Sequence, residues 1–160
     1  MFRPMRRSRQ VLSEEECKAL LAQASSGVLA VSGDDGYPYA VPMSFVYDKN
    51  ETLYFHCAPC GHKLDAIRKD PKASFCVTAQ DEVHPERLTT YYKSVIAFGK
   101  ARILENADES LQALMLLGEK YGVERAQLSP EIKRYDGKVK IIAFTIEHVS
   151  GKQAIELAEQ

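Results

Sequence analysis

The sequence predicts a mainly β domain: six antiparallel strands closing, fully or in part, into a barrel that carries three short helices. Two observations lead there. Six runs rich in β-branched and aromatic residues recur along the 160 residues, most of them joined by short turns of Gly, Pro, Asp or Asn. The helical segments are few and do not alternate with the strands as a parallel sheet would require.

Each element has its own local reason. Ser13 with Glu16 three residues later forms a capping box, and Cys17, Leu20, Leu21 and Ala24 then follow helical spacing. Val28 to Ser32 is the first strand. The turn Asp34-Asp35-Gly36 leads into a second, Tyr39 to Tyr47, so the two form a hairpin. Pro42 cannot donate to a ladder, which marks an edge, a bulge or an interruption. Leu53 to Cys57 is the third strand, and Gly61 to Lys69 a short helix stopped by Asp70-Pro71. Ala73 to Thr78 is the fourth strand, and the polar stretch Gln80 to Thr90 reads as a loop. Ser94 to Leu104 is a long strand with Gly99 a candidate bulge. Asp108 opens a helix ending at Tyr121-Gly122, Ser129-Pro130-Glu131 could start a short one, and Lys138 to Val149 is the last strand.

Composition narrows the function classes. A chain of 17.9 kDa, 45% hydrophobic and 27% charged, supports one domain over 1–160 with a real core. Its net charge of -1 supplies no field for nucleic acid or an acidic membrane. The basic arm at 1–10, with Arg3, Arg6, Arg7 and Arg9, has no apolar segment after it and is not a signal peptide; no run spans a bilayer. The expected location is the cytoplasm.

Chemistry concentrates between Tyr54 and Asp65, where two histidines, two cysteines and a lysine crowd a strand-to-helix junction. Such a junction exposes backbone N–H groups at a positive helix end, a seat for phosphate or another anion. Lys63 adds a point charge there. The C-x-x-C pair, Cys57 and Cys60, admits zinc, dithiol chemistry or plain small residues near a loop. Structural zinc wants four ligands and no second C-x-x-C exists, so the third reading is preferred and no metal is assigned. His56, ending a buried-looking strand, could equally be a satisfied core residue.

In order along the chain stand Met5-Arg6-Arg7, Tyr37 to Phe45, Tyr54 to Lys63, and Tyr92 to Ala101. Together these resemble the pyridoxamine 5′-phosphate oxidase-like superfamily of FMN-binding split barrels, above all its nitroimidazole-resistance relatives. The resemblance implies a homodimer with FMN in clefts at the subunit interface. It implies that the flavin phosphate sits near His56, Cys57, Gly61, His62 and Lys63. Lys63 matches the family lysine, His62 stands in place of an arginine, and Gly61 replaces a side-chain hydroxyl with backbone alone. The strand holding Tyr39, Val41, Pro42, Met43 and Ser44 would run beside the isoalloxazine, and Ser94, with Lys93 beside it, would line the phosphate and ribityl side. His56 is implied near the active site; His84 and His148 have no such support.

The expectation is an FMN-dependent oxidoreductase of small electron acceptors such as nitro-aromatics, without nucleic-acid or membrane partners. Oxidation of pyridoxamine phosphate is disfavoured, because Gln153 to Gln160 contains no arginine. The alternative is a non-catalytic flavin- or haem-binding protein. No dinucleotide fingerprint identifies an electron donor.

Overall fold

A computed structural model describes residues 2–124, 126–128 and 137–159. Its strands are β1 (Val11–Leu12), β2 (Ser26–Ser32), β3 (Pro38–Ser44), β4 (Val46–Tyr47), β5 (Thr52–Cys57), β6 (Lys72–His84), β7 (Thr89–Ile103) and β8 (Lys140–Gln153). Among the described residues, helices α1 (Glu14–Gln23), α2 (His62–Lys69), α3 (Ala107–Lys120) and α4 (Ile155–Ala158) accompany them. The capping box forms as expected. Ser13 Oγ accepts from the Glu16 N–H at 3.2 Å, and the Ser13 N–H donates to Glu16 Oε2 at 2.7 Å.

All strand pairs are antiparallel, in the order β3-β2-β6-β7-β8-β5-β4, with β1 added on β8. The first and last strands of that path, β3 and β4, are separated in the chain by Phe45 alone. One residue cannot cross an open sheet, so the sheet curls until its two ends meet. The interior fills with alternate residues of each strand. Phe45, Phe55 and Phe75 are fully buried, with ring centroids 4.7 to 6.3 Å apart. Each such side chain contributes about 1.5–3 kcal/mol by leaving water. A smaller cluster of Leu104, Ala113, Ile141 and Ala143 lies where α3 meets the outer side.

The seam at Phe45 breaks the ladder, and its backbone groups are satisfied from α3. The Phe45 N–H donates to Tyr121 Oη at 3.0 Å, and that hydroxyl donates to the Ser25 carbonyl at 2.5 Å. Lys120 Nζ donates to the carbonyls of Ala24 and Phe45 at 2.6 and 2.7 Å, and lies 3.8 Å over the Phe45 ring. Burial lowers the Lys120 pKa to about 8.

Most of the expected strands appear in place. Pro42 lies in β3, which pairs only with β2 and is the path's terminal strand. The register shifts between Phe98 and Gly99, where a Cβ would collide with the Thr145 carbonyl, so the bulge requires glycine. Four assignments differ. The single strand expected from Tyr39 to Tyr47 divides at Phe45, and with β1 this turns six strands into eight. The stretch Gln80 to Thr90, read as a loop, is mostly strand: β6 and β7 continue pairing as far as His84 and Thr89. Beyond the bulge at Thr78/Gln80 most side chains stay in water, so ladder hydrogen bonds hold the arms without hydrophobic alternation. Gly151 and Lys152 belong to β8 rather than following it, and Asn106, not Asp108, caps α3. The short helix suggested at Ser129-Pro130-Glu131 lies outside the described residues.

Candidate functional site

Helix α2 begins without a side-chain cap. Gly61 precedes it at φ 131° and ψ 169°, a region essentially reserved for glycine, and its carbonyl accepts from the N–H groups of Leu64 and Asp65 at 2.9 and 3.2 Å. The amides of His62 and Lys63 stand free at the start. Leu64, Ala66 and Ile67 are buried and fix the helix to the barrel. Its far end is tied by Ser32 Oγ, which donates to Asp70 Oδ2 at 3.1 Å.

Around that start the structure gathers a definite set of side chains. The His62 ring stacks on Tyr39 with centroids 4.2 Å apart. Its Nε2 is covered from solvent yet has no hydrogen-bond partner; the nearest carboxylate oxygen, Asp34 Oδ2, is 3.6 Å away. Lys63 is half-buried and close enough to Cys57 to act on its thiol: burial pushes that thiol up, and the lysine charge pulls it partly back. Cys57 is buried, Cys60 exposed, and both are free thiols. Among the described residues no group of three or more His, Cys, Asp or Glu could hold a metal ion.

The other expected residues spread over both ends of the barrel. Tyr39, Val41 and Met43 point inward and pack on the core, while Pro42 and Ser44 are exposed on the outer side of β3. His56 is exposed on β5 opposite Ile141, between the buried Phe55 and Cys57, so it is not a core histidine. Ser44 pairs with Ser26 on β2, five residues and roughly 17 Å along β3 from Tyr39. Two positions past the Val28–Cys76 pair, β6 reaches Thr78, whose partner is Ser94. Ser44 and Ser94 therefore share the end remote from His62. Tyr39, Cys57, Gly61, His62 and Lys63 come together; Ser44 and Ser94 do not join them within one chain.

Between the two ends lies an apolar outer face. Pro42, Val28, Cys76 and Ile96 align across four strands, beside a second row of Ala40, Ala30, Ser74 and Phe98. Val28 and Ile96 are 37% and 39% exposed, unusual for residues of central strands. A cleft of about 420 Å³ opens at this face between Gly33, Tyr37, Ser74 and Phe98. Sequence reasoning missed Asp34, which reads as a turn residue; nothing local shows that its turn packs beside a helix start from elsewhere in the chain.

The family described as pyridoxamine 5′-phosphate oxidase matches residues 13–153. Among solved structures, the chain is similar to a candidate 5-nitroimidazole antibiotic resistance protein from Bacteroides thetaiotaomicron: 20% identity, 89% of this chain and 86% of that one covered, TM-score 0.73. A FAD-binding protein from Mesorhizobium loti shares 26% identity over 90% and 95% of the two chains, with a TM-score of 0.62. A FAD and heme binding protein from Mycobacterium smegmatis shares 20% identity over 91% and 73%, with a TM-score of 0.70. No curated protein matches the chain.

Proposed function

The chain belongs to the pyridoxamine 5′-phosphate oxidase family, and on that premise we propose that it is an FMN-dependent oxidoreductase acting as a homodimer. One observation carries the reading: α2 starts on an uncapped glycine, with a half-buried lysine and a His62 Nε2 that makes no hydrogen bond, which together suit a phosphate. The bound flavin would supply hydride or electron transfer. Lys63 supplies charge to its phosphate, the N–H groups of His62 and Lys63 orient it, and Tyr39 holds the imidazole in plane. Gly61 lets the backbone approach where a side chain would strain it.

The homodimer is supported by what one chain leaves undone. Ser44 and Ser94 stand remote from the seat, and the outer face between carries exposed Val28 and Ile96. A second copy on that face would cover it and offer its own strands to the cofactor. His56, exposed on β5, is the residue proposed to face the electron acceptor, a small molecule such as a nitro-aromatic. The described helices include none long and apolar enough to cross a membrane.

The alternative is a non-catalytic flavin- or haem-binding protein, in which a histidine such as the exposed His56 or His62 would hold the haem iron, as the heme-binding relative suggests. A visible spectrum of the purified protein separates the readings. Flavin bands are expected, and a Soret band without them sinks the FMN proposal. Reduction assays with a nitro-aromatic acceptor then test the enzyme reading: His56→Ala is expected to lower turnover with flavin content unchanged, and wild-type protein that holds flavin but reduces no acceptor with NADH or NADPH points to the binding protein.

A further inference from the structure

We propose that the N-terminal arm forms a second anion site, for the phosphate of a small phosphorylated ligand, separate from the start of α2. A cleft of about 380 Å³ is lined by Arg6, Arg7, Ser8, Arg9, Gln10 and Ile155. That is the scale of a small-molecule pocket. Three guanidiniums border it, and among the described residues none of them has a carboxylate partner. Five cations elsewhere are paired, Lys18 with Glu14 and Glu51, Arg68 with Asp65, Lys100 with Glu147, Arg102 with Glu109 and Lys140 with Glu105, while other single lysines stand in water; what sets the arm apart is three arginines on one cleft. With 22 acidic and 21 basic residues in the chain, carboxylates are not scarce. Arginine clustered without acids is arranged to receive an anion from outside, and its planar fork fits phosphate oxygens two at a time.

The backbone of the arm is held at both ends. Phe2 stacks on His148 at 4.4 Å and packs on Phe98 at 5.3 Å. Val11 and Leu12 pair with Lys152 and Gly151 on β8. Between these anchors a 3-10 turn, Ser8–Gln10, is closed by the Gln10 N–H donating to the Arg7 carbonyl at 3.0 Å. Gln10 is 4% exposed, and its Oε1 accepts from Arg7 Nη1 at 3.5 Å. An arm fixed in this way loses less freedom on binding.

The surrounding charges favour an anion. Lys152 lies opposite Val11 and Ser94, and Lys93 opposite Gln153. Of the nearby acids, Glu156 accepts from Thr89 Oγ1 at 3.1 Å and Glu16 is engaged in the capping box. Ile155 provides an apolar wall for the organic part of a ligand. The register places this cleft at the Ser94 end of the barrel, remote from His62.

Calorimetric titration of the purified protein with pyrophosphate at fixed ionic strength tests the site. Saturable binding is expected at one anion per chain beyond any taken up at α2. The double variant Arg6→Gln/Arg9→Gln should weaken it by about tenfold or more, with melting temperature and flavin spectrum unchanged. Lys63→Ala should leave it intact. The proposal is overturned by absence of saturable binding, by equal binding in the double variant, or by loss in Lys63→Ala, which would assign the anion to α2. Binding of oligothymidylate without binding of pyrophosphate would also overturn it, in favour of a nucleic-acid contact.

Discussion

Helices α1 and α2 begin in opposite ways, although both start by leaving a strand. At α1 the Ser13 hydroxyl and the Glu16 carboxylate answer each other's backbone N–H groups, and Glu14, Glu15 and Glu16 put negative charge in the first turn, against any incoming anion. At α2 Gly61 brings no side chain and no acid precedes Asp65 in the helix, and among the described residues His62 Nε2 makes no hydrogen bond, with the Asp34 carboxylate 3.6 Å away. A helix start costs stability unless its donors are met. The first is closed by the chain's own carboxylate; the second is the start we propose for an anion. The contrast locates the candidate site more sharply than the C-x-x-C motif does, since Cys57 is buried with a raised pKa and Cys60 lies apart on the surface.

Paired substitutions can break this comparison. Gly61→Ala forces a side chain into a backbone region nearly exclusive to glycine, at a cost of about 1–3 kcal/mol, and should also loosen flavin. Ser13→Ala should cost about 1 kcal/mol of stability and leave flavin affinity untouched. Urea unfolding and flavin fluorescence, measured on both variants, check this. If Ser13→Ala releases flavin as readily as Gly61→Ala, the two helix starts are not functionally distinct.

A smaller effect concerns the seam at Phe45. Lys120 has a folded pKa of about 8 against an ordinary 10.5, so between these values the unfolded chain binds more protons than the folded one. Stability contributed by this lysine therefore rises with pH across that window and is flat below it. A neutral amine keeps two N–H donors, enough for the carbonyls of Ala24 and Phe45. Cys17, pushed up to about 11 by burial, changes stability in the opposite sense at high pH, so the useful quantity is wild type minus Lys120→Met. That difference should grow from about pH 8 to 10.5; a constant difference would show that the lysine is not desolvated.

What the sequence could reveal follows from the range of the interactions. The capping box, the proline on a terminal strand and the glycine bulge are set by neighbours along the chain or by one residue's stereochemistry, and each was legible. The paired arms of Gln80 to Thr90 were not, because their hydrogen bonds leave no hydrophobic period. Nor was the division at Phe45, whose backbone partners Lys120 and Tyr121 come from a distant helix. In the candidate site, Gly61, His62 and Lys63 were legible as one contiguous stretch. The Tyr39 stack, the nearby Asp34 carboxylate and the separation of Ser44 and Ser94 depend on how the sheet closes.

The most direct test of the phosphate seat compares FMN with riboflavin, which lacks only the phosphate, in wild type and in Lys63→Ala. Wild type should bind FMN much more tightly than riboflavin. Lys63→Ala should lose about 1.5–3 kcal/mol of FMN affinity while riboflavin binding stays nearly constant, so that the gap narrows. A gap of undiminished size in Lys63→Ala would contradict the assignment and place the phosphate elsewhere on the molecule.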